Sequence, residues 1–154
     1  MVATETDNIQ EDLMSRLDSA VSEVFEMMLN RNCAPLDTQV DIDEQVTARI
    51  RFSGSITGEC LVYANQTVAQ IAAEALLGLV SDPSDPMVDD AVGELCNMIA
   101  GGWKSKLDPR SAVVLISLPT ITRDSVLNLV SHPGTSYSRC YAFQGNVFGV
   151  SLAF

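Results

Sequence analysis

The beginning of the chain repeats apolar residues with the spacing of a helix. Asn8, followed by Glu11 three residues later, forms a capping box, a pattern that often opens a helix. We therefore predict a helix from Asn8 to about Leu29, preceded by a flexible leader over residues 1–7. The apolar stripe of this helix consists of Leu13, Leu17, Ala20, Val21, Val24 and Met28.

Two further helices are predicted in the middle of the chain. Thr67 and Gln70 form a second capping box before an apolar helix that ends near residue 78. Asp85 is placed to cap a third helix, and Pro86 suits its first position. The Asp-Pro pair at 108–109 should end this third helix.

Four segments have the alternating or continuously apolar pattern of strands. Residues 40–52 and 55–63 are joined by a Ser-Gly pair that predicts a tight hairpin. Residues 111–119 predict a buried strand, and residues 138–154 predict a final hairpin. The fold class is therefore α+β, with long helices packed on an antiparallel β-sheet.

The two hairpins share one sequence pattern. Phe52, Gly54, Ile56, Gly58, Leu61 and Tyr63 match Phe143, Gly145, Val147, Gly149, Leu152 and Phe154 without a gap. Because a long helix precedes each hairpin, we predict one domain over residues 8–154 with pseudo-twofold duplicated halves, about 8–64 and 86–154. Alternatively, aromatic, glycine and branched residues simply recur in hairpins.

The third helix has an apolar face and a polar face. Val88, Val92, Leu95, Ile99 and Trp103 form the core side. Asp90, Glu94, Asn97 and Gly101 lie on the opposite face, with Gly93 at its edge. Since each helical glycine costs about 1 kcal/mol relative to alanine, these glycines suggest a surface that a partner approaches closely. The bland alternative is an ordinary solvated face.

Charge and composition exclude several classes of function. Twenty acidic and nine basic residues give a net charge of -11, and no basic cluster could bind nucleic acid or an anionic membrane. The four cysteines lie far apart and there is one histidine, so no intrinsic metal site is expected. Without a signal peptide or an apolar span, the sequence predicts a cytoplasmic protein.

The polar face of the third helix also carries a family pattern. Asp90, Glu94 and Asn97 are followed by a predicted strand that ends at Pro119. This combination resembles the chemotaxis phosphatase family CheC/CheX/FliY, and residues 97–107 are most similar to the CheX branch. Twenty-one residues separate Asn97 from Pro119, one fewer than is usual in the family, which leaves the proline match open.

The resemblance implies a pseudo-twofold, CheX-like enzyme that hydrolyses the aspartyl phosphate of a CheY-like response regulator in two-component signalling. It implies that Asn97 orients the attacking water and that Glu94 pairs with a lysine of the regulator. Asp90, Gly93 and Gly101 would contact the partner. No intrinsic cofactor is implied, because the regulator supplies Mg²⁺.

Other interpretations remain open. The chain could be a CheX-like module that binds a regulator or a flagellar switch component without turnover, or a domain whose Glu94 and Asn97 are ordinary surface residues. The resemblance further implies a homodimer, because CheX-like members pair through their sheets. The final strand, which runs to Phe154, is expected to leave an apolar edge for this pairing.

The first helix offers no second copy of the Glu and Asn pair. Its nearest analogue is Glu23 with Glu26. A second carboxylate cannot donate a hydrogen bond to a phosphoryl oxygen and would repel it. The sequence therefore predicts one working site per chain.

Overall fold

A computed structural model describes residues 5–42, 46–78, 82, 85–107, 113–123 and 134–154. Within these ranges, helices α1, α2 and α3 span Glu5–Met28, Gln66–Leu77 and Pro86–Ser105. Strands β1 to β7 span Ala34–Pro35, Val46–Gly54, Gly58–Ala64, Val114–Ile116, Thr120–Thr122, Ser136–Phe143 and Asn146–Ala153. None of the described helices is long and apolar enough to cross a membrane.

The strands form one antiparallel sheet in the order β1-β6-β7-β3-β2-β4, and β5 also pairs with β2. Alternate residues of the central strands pack with the helices in a single hydrophobic core. The sheet contributes Ala48, Ile50, Phe52, Cys60, Val62, Phe148, Val150 and Leu152 to this core. The predicted α+β class, with helices packed on an antiparallel sheet, is confirmed.

The two halves of the chain complete each other's edges. Strand β1, which follows α1, pairs with β6, whereas β4 and β5, which follow α3, pair with β2. The turn glycines of the two hairpins, Gly54 and Gly145, both adopt positive φ angles, 97° and 78°. A side chain would be strained at either position, which explains why glycine stands at both turns.

The two hairpins also meet at the centre of the sheet. Where β3 pairs with β7, Tyr63 lies opposite Gly149, and a Cβ added to Gly149 would overlap the tyrosine ring. On the other hairpin, a Cβ added to Gly58 would overlap the Ala153 carbonyl oxygen and would lie 3.1 Å from Phe154 Cδ1. Gly149 thus makes room for an aromatic ring of the other hairpin, and Gly58 makes room for its backbone.

The final strand, β7, lies in the interior of the sheet. Val150 pairs with Arg139 of β6 on one side and with Val62 of β3 on the other. The expectation that this strand leaves an open apolar edge is therefore wrong. Alternation along a strand gives the face of each residue but does not give the neighbours of the strand, so the pattern could not reveal this order.

The predicted buried strand over 111–119 is instead a short strand at the edge of the sheet. Only Val114–Ile116 forms β4, and residues 111 and 112 lie outside the described residues. Val113 is 70% exposed and Leu115 is 60% exposed. Val114 is buried in the core and the next residue, Leu115, points to the open face of the sheet, so this apolar run is only half-buried.

Local capping decides where α2 and α3 begin. The predicted cap of α3 is confirmed, since Asp85 Oδ1 accepts a hydrogen bond from the Met87 N–H at 2.9 Å. Helix α2 is capped by Asn65 rather than Thr67, and Asn65 Oδ1 accepts from the Val68 N–H at 2.9 Å. Asparagine is the stronger capping residue of the two, which explains the earlier start.

Two helix boundaries differ from the predicted ones. Helix α1 begins at Glu5 rather than Asn8, so the predicted leader over residues 1–7 is helical from Glu5 onward. A capping box favours one start site only weakly, because adding residues to an existing helix is easier than nucleating it. Helix α3 ends at Ser105, and the Asp-Pro pair at 108–109 lies outside the described residues.

Candidate functional site

The two faces of α3 are those that the sequence predicts. The core side consists of Val88, Val92, Leu95, Ile99 and Trp103, none more than 1% exposed. On the opposite face, Asp90 and Glu94 are exposed, and Asn97 and Gly101 are half-buried. Because Glu94 and Asn97 are three residues apart, their side chains are neighbours on the helix surface.

Glu94 and Asn97 are not engaged within the fold. Neither side chain forms a hydrogen bond or an ion pair with another residue in the described part of the chain. The carboxylate can accept hydrogen bonds, and the amide can both donate and accept them. The two groups are therefore available to a molecule that approaches α3 from outside.

Gly93 has a packing role within the chain. It is buried, and a Cβ at this position would lie 3.0 Å from Ile121 Cδ1 and 3.5 Å from Pro119 Cβ. The expectation that Gly93 leaves space for a partner is thus not supported, because the segment beside β5 fills that space. Gly93 lies at the edge of the polar face of α3, and Pro119 and Ile121 cover it there.

Gly101 and Gly102, the other two glycines of α3, have different surroundings. A Cβ added to Gly102 would lie 3.4 Å from Ala20 Cβ, so Gly102 allows α1 to pack closely against α3. A Cβ added to Gly101 would meet nothing within 4 Å. Gly101 therefore leaves open space on the surface of α3 near Asn97, and its contact with a partner stays a prediction.

An ion pair that the sequence did not reveal holds the first turn of α3. Arg123, just after β5, donates to Asp89 with Nη2 at 2.7 Å from Oδ1 and Nε at 3.2 Å from Oδ2. This bidentate geometry fixes both the position and the orientation of the Arg123 guanidinium relative to the first turn of α3. The neighbouring Asp90 has no such partner among the described residues. Since Arg123 is distant in sequence, no local pattern could have indicated the pairing.

Helix α3 carries no reactive thiol. Cys96 lies between Glu94 and Asn97 in sequence but is fully buried, and its thiol lies 3.7 Å from the carbonyl oxygens of Ala48 and Cys60. A hydrogen bond with the Cys60 thiol and burial raise the pKa of Cys96 well above its ordinary value. Since the thiolate is the nucleophilic form, Cys96 is a packing residue.

Among the described residues, no group of three or more histidine, cysteine, aspartate or glutamate side chains is arranged to hold a metal ion. On the polar face of α3, the Glu94 carboxylate and the Asn97 amide lie in neighbouring positions. Such a pair can orient a water molecule and a charged group of a partner.

Contacts within the chain engage part of the polar face of α1, although Glu26 on that face is exposed and has no partner among the described residues. Glu23 forms an ion pair with Lys106 Nζ at 2.7 Å, and Arg16 donates to the backbone carbonyl of Lys106. Arg16 also pairs with Asp12 at 2.9 Å. Glu23 therefore helps to attach α1 to the residue that follows α3, and one working site per chain stays a prediction.

A comparison with protein families matches residues 46–144 to the family described as chemotaxis phosphatase CheX. This match covers more than half of the chain and includes all of α3. A comparison with curated protein sequences finds no significant match.

Several solved structures share the fold. The chemotaxis protein CheX from Vibrio vulnificus is 17% identical, with a TM-score of 0.79 over 94% of this chain and 97% of that one. A CheX-CheY-BeF3-Mg²⁺ complex from Borrelia burgdorferi contains a chain that is 19% identical, with a TM-score of 0.74 over 92% and 97%. A CheC-like superfamily protein from Shewanella sp. PV-4 is 18% identical, with a TM-score of 0.75 over 92% and 96%.

At these identities the solved structures establish the fold alone. The family match adds what the fold cannot, because it spans the helix that presents Glu94 and Asn97 together with the strands that support it. The chain therefore belongs to the CheX family of chemotaxis phosphatases.

Proposed function

We propose that the chain is a protein phosphatase that hydrolyses the aspartyl phosphate of a CheY-like response regulator. The observation that carries the proposal is the pair of unengaged polar side chains, Glu94 and Asn97, on the open face of α3 in a chain of this family. The complex of a similar chain with CheY, BeF3 and Mg²⁺ supports a regulator as the partner.

Asn97 is proposed to orient the attacking water. Phosphoryl transfer depends mainly on the placement of reactants and on stabilisation of charge, so it does not require a nucleophile from this chain. The Asn97 carbonyl can accept a hydrogen bond from water, and its amino group can donate to a phosphoryl oxygen. An amide is not a general base, so Asn97 acts by position.

Glu94 is proposed to pair with a lysine of the regulator. A charge-assisted hydrogen bond between the two would fix how far α3 enters the regulator's site and would therefore set the position of Asn97. Asp90 would lie at the rim of the contact, and Gly101 would let the regulator approach the helix. The Mg²⁺ that stabilises phosphoryl charge is proposed to come with the regulator, so that this chain needs no cofactor of its own.

The decisive experiment follows the loss of phosphate from a phosphorylated CheY-like regulator with and without a substoichiometric amount of this protein. We expect faster loss and several turnovers per chain. If the protein binds the BeF3-activated regulator but leaves phosphate loss unchanged, the phosphatase proposal is wrong and the chain is a binding module. The proposal also requires both proteins to share a compartment, and the cytoplasmic location stays a prediction.

We also propose that the protein forms a homodimer through β4. Among the described strands, β4 pairs only with β2, so its outer edge is open, and the side chain of Leu115 in β4 is 60% exposed. An open strand edge with apolar side chains is stabilised when a second copy adds its own strand. Light scattering at micromolar concentration should give a dimer mass, and Leu115→Lys should give a monomer. A monomer mass for the unmodified chain would contradict this proposal.

A further inference from the structure

Leu118 is the most exposed large apolar side chain in the described part of the molecule, at 87%. It immediately precedes Pro119, which packs beside Gly93 on α3. Gly93 is next to Glu94 in sequence. Leu118 therefore adjoins, in sequence, a residue that packs at the edge of the polar face of α3.

The backbone at Leu118 is held from two sides. Ser117 N–H donates to the Arg51 carbonyl at 3.0 Å, and Arg51 N–H donates to Ser117 Oγ at 2.9 Å. The Ser117 hydroxyl in turn donates to the Leu118 carbonyl at 3.0 Å. With Pro119 packed on α3, the position of Leu118 relative to that helix is fixed before any partner binds. Because the backbone is already placed, only the Leu118 side chain loses conformational freedom on binding.

A second exposed apolar residue lies on α3 itself. Met87 is 42% exposed. It precedes Asp90 by three residues and Glu94 by seven, so it falls on the same stripe of α3. Glu94 and Asn97 thus form a polar centre, and Met87 and Leu118 are apolar neighbours of that centre.

A regulator that binds at the polar face of α3 must cover more of the protein surface than Glu94 and Asn97 alone. A stable interface buries roughly 800 Å² on each partner, far more than the side chains of Glu94 and Asn97 can supply. A regulator that reaches Asn97 must therefore also cover the residues around it. Apolar side chains in such a contact supply binding energy, whereas the polar pair supplies orientation.

We propose that Leu118, with Met87, forms the apolar rim on which the phosphorylated regulator docks. This inference rests on the proposed function. It adds that Leu118 and Met87 set the affinity for the regulator and do not set the rate of hydrolysis. The regulator would present an apolar patch beside its phosphorylated aspartate. Leu118 would contact that patch while Glu94 and Asn97 enter the site.

The test measures binding of purified CheY-like regulators from the same organism, each activated with BeF3 and Mg²⁺, to the full chain. Leu118→Ser should weaken binding to the recognised regulator about tenfold, the effect of losing one buried aliphatic side chain. The hydrolysis rate at saturating regulator should be unchanged. Met27→Ser is the matched control, because Met27 is 81% exposed on α1. It should bind within twofold of the unmodified chain.

Binding and turnover separate the two proposals. If the unmodified chain binds the activated regulator without hydrolysing phosphate, and Leu118→Ser still weakens that binding, the docking rim stands and the phosphatase proposal fails. If Leu118→Ser binds as well as the unmodified chain, the rim proposal is wrong even when hydrolysis is seen. A loss of the dimer mass in Leu118→Ser would also overturn it, because Leu118 would then belong to the contact between copies.

Discussion

Replacing Asn97 with alanine is expected to slow hydrolysis of the regulator's aspartyl phosphate by about a hundredfold at saturating regulator. This is the scale of losing one preorganised polar contact to a transition state. The free energy of unfolding should change by about 0.5 kcal/mol or less, because the Asn97 side chain has no hydrogen-bond partner within the described residues. Single-turnover phosphate release and urea denaturation measure the two quantities.

Matched variants show whether this loss belongs to the amide. Asn97→Asp keeps the shape but removes the donor and adds negative charge, so it should be at least as slow. Asn32→Ala removes an exposed amide away from α3 and should leave the rate unchanged. Glu94→Ala should also cost about a hundredfold, through lost placement of Asn97. Full activity in Asn97→Ala would end the proposed mechanism.

A large loss of stability is expected when Gly149 is replaced with alanine. The added Cβ would overlap the ring of Tyr63, which is only 6% exposed and pairs with Gly149 across β3 and β7. Overpacking of this kind costs about 3 kcal/mol when neither the ring nor the backbone can move away. Urea denaturation should therefore show a midpoint far below that of the unmodified chain.

Two further variants test the stated cause. Gly101→Ala also adds a methyl group to a glycine, but into open space on a helix, and should raise stability by up to about 1 kcal/mol. Combining Gly149→Ala with Tyr63→Ala should cost less than the sum of the two single changes, because the second change removes the clash. Additive costs, or an unchanged midpoint for Gly149→Ala, would show that the ring and the glycine are not coupled.

Local chemistry made the faces of α3 and its Asp85 cap predictable. A helix needs only its own residues to set its periodicity, and a cap needs only a few neighbours. The sequence therefore placed Glu94 and Asn97 on an exposed face without any knowledge of the rest of the fold.

Contacts between distant segments were not predictable in this way. The reason for Gly93 lies in Pro119 and Ile121, and the partner of Asp89 is Arg123. The interior position of β7 and the edge position of β4 depend on the order of strands, which alternation along one strand does not encode. The sequence thus predicted the polar pair of the candidate site, whereas its support from β5 required the tertiary structure.

The pairing of β3 with β7 has a consequence for folding during synthesis. Strand β3 pairs with β2 early, but its other edge stays unpaired until β7, from the far half of the chain, has been made. Such non-local pairing slows folding, and an unpaired strand edge can recruit other chains. In a crowded cell, the unpaired edge of β3 therefore makes the nascent chain prone to aggregation until β7 pairs with it. A chaperone that covers strand edges during this period would raise the yield of folded protein.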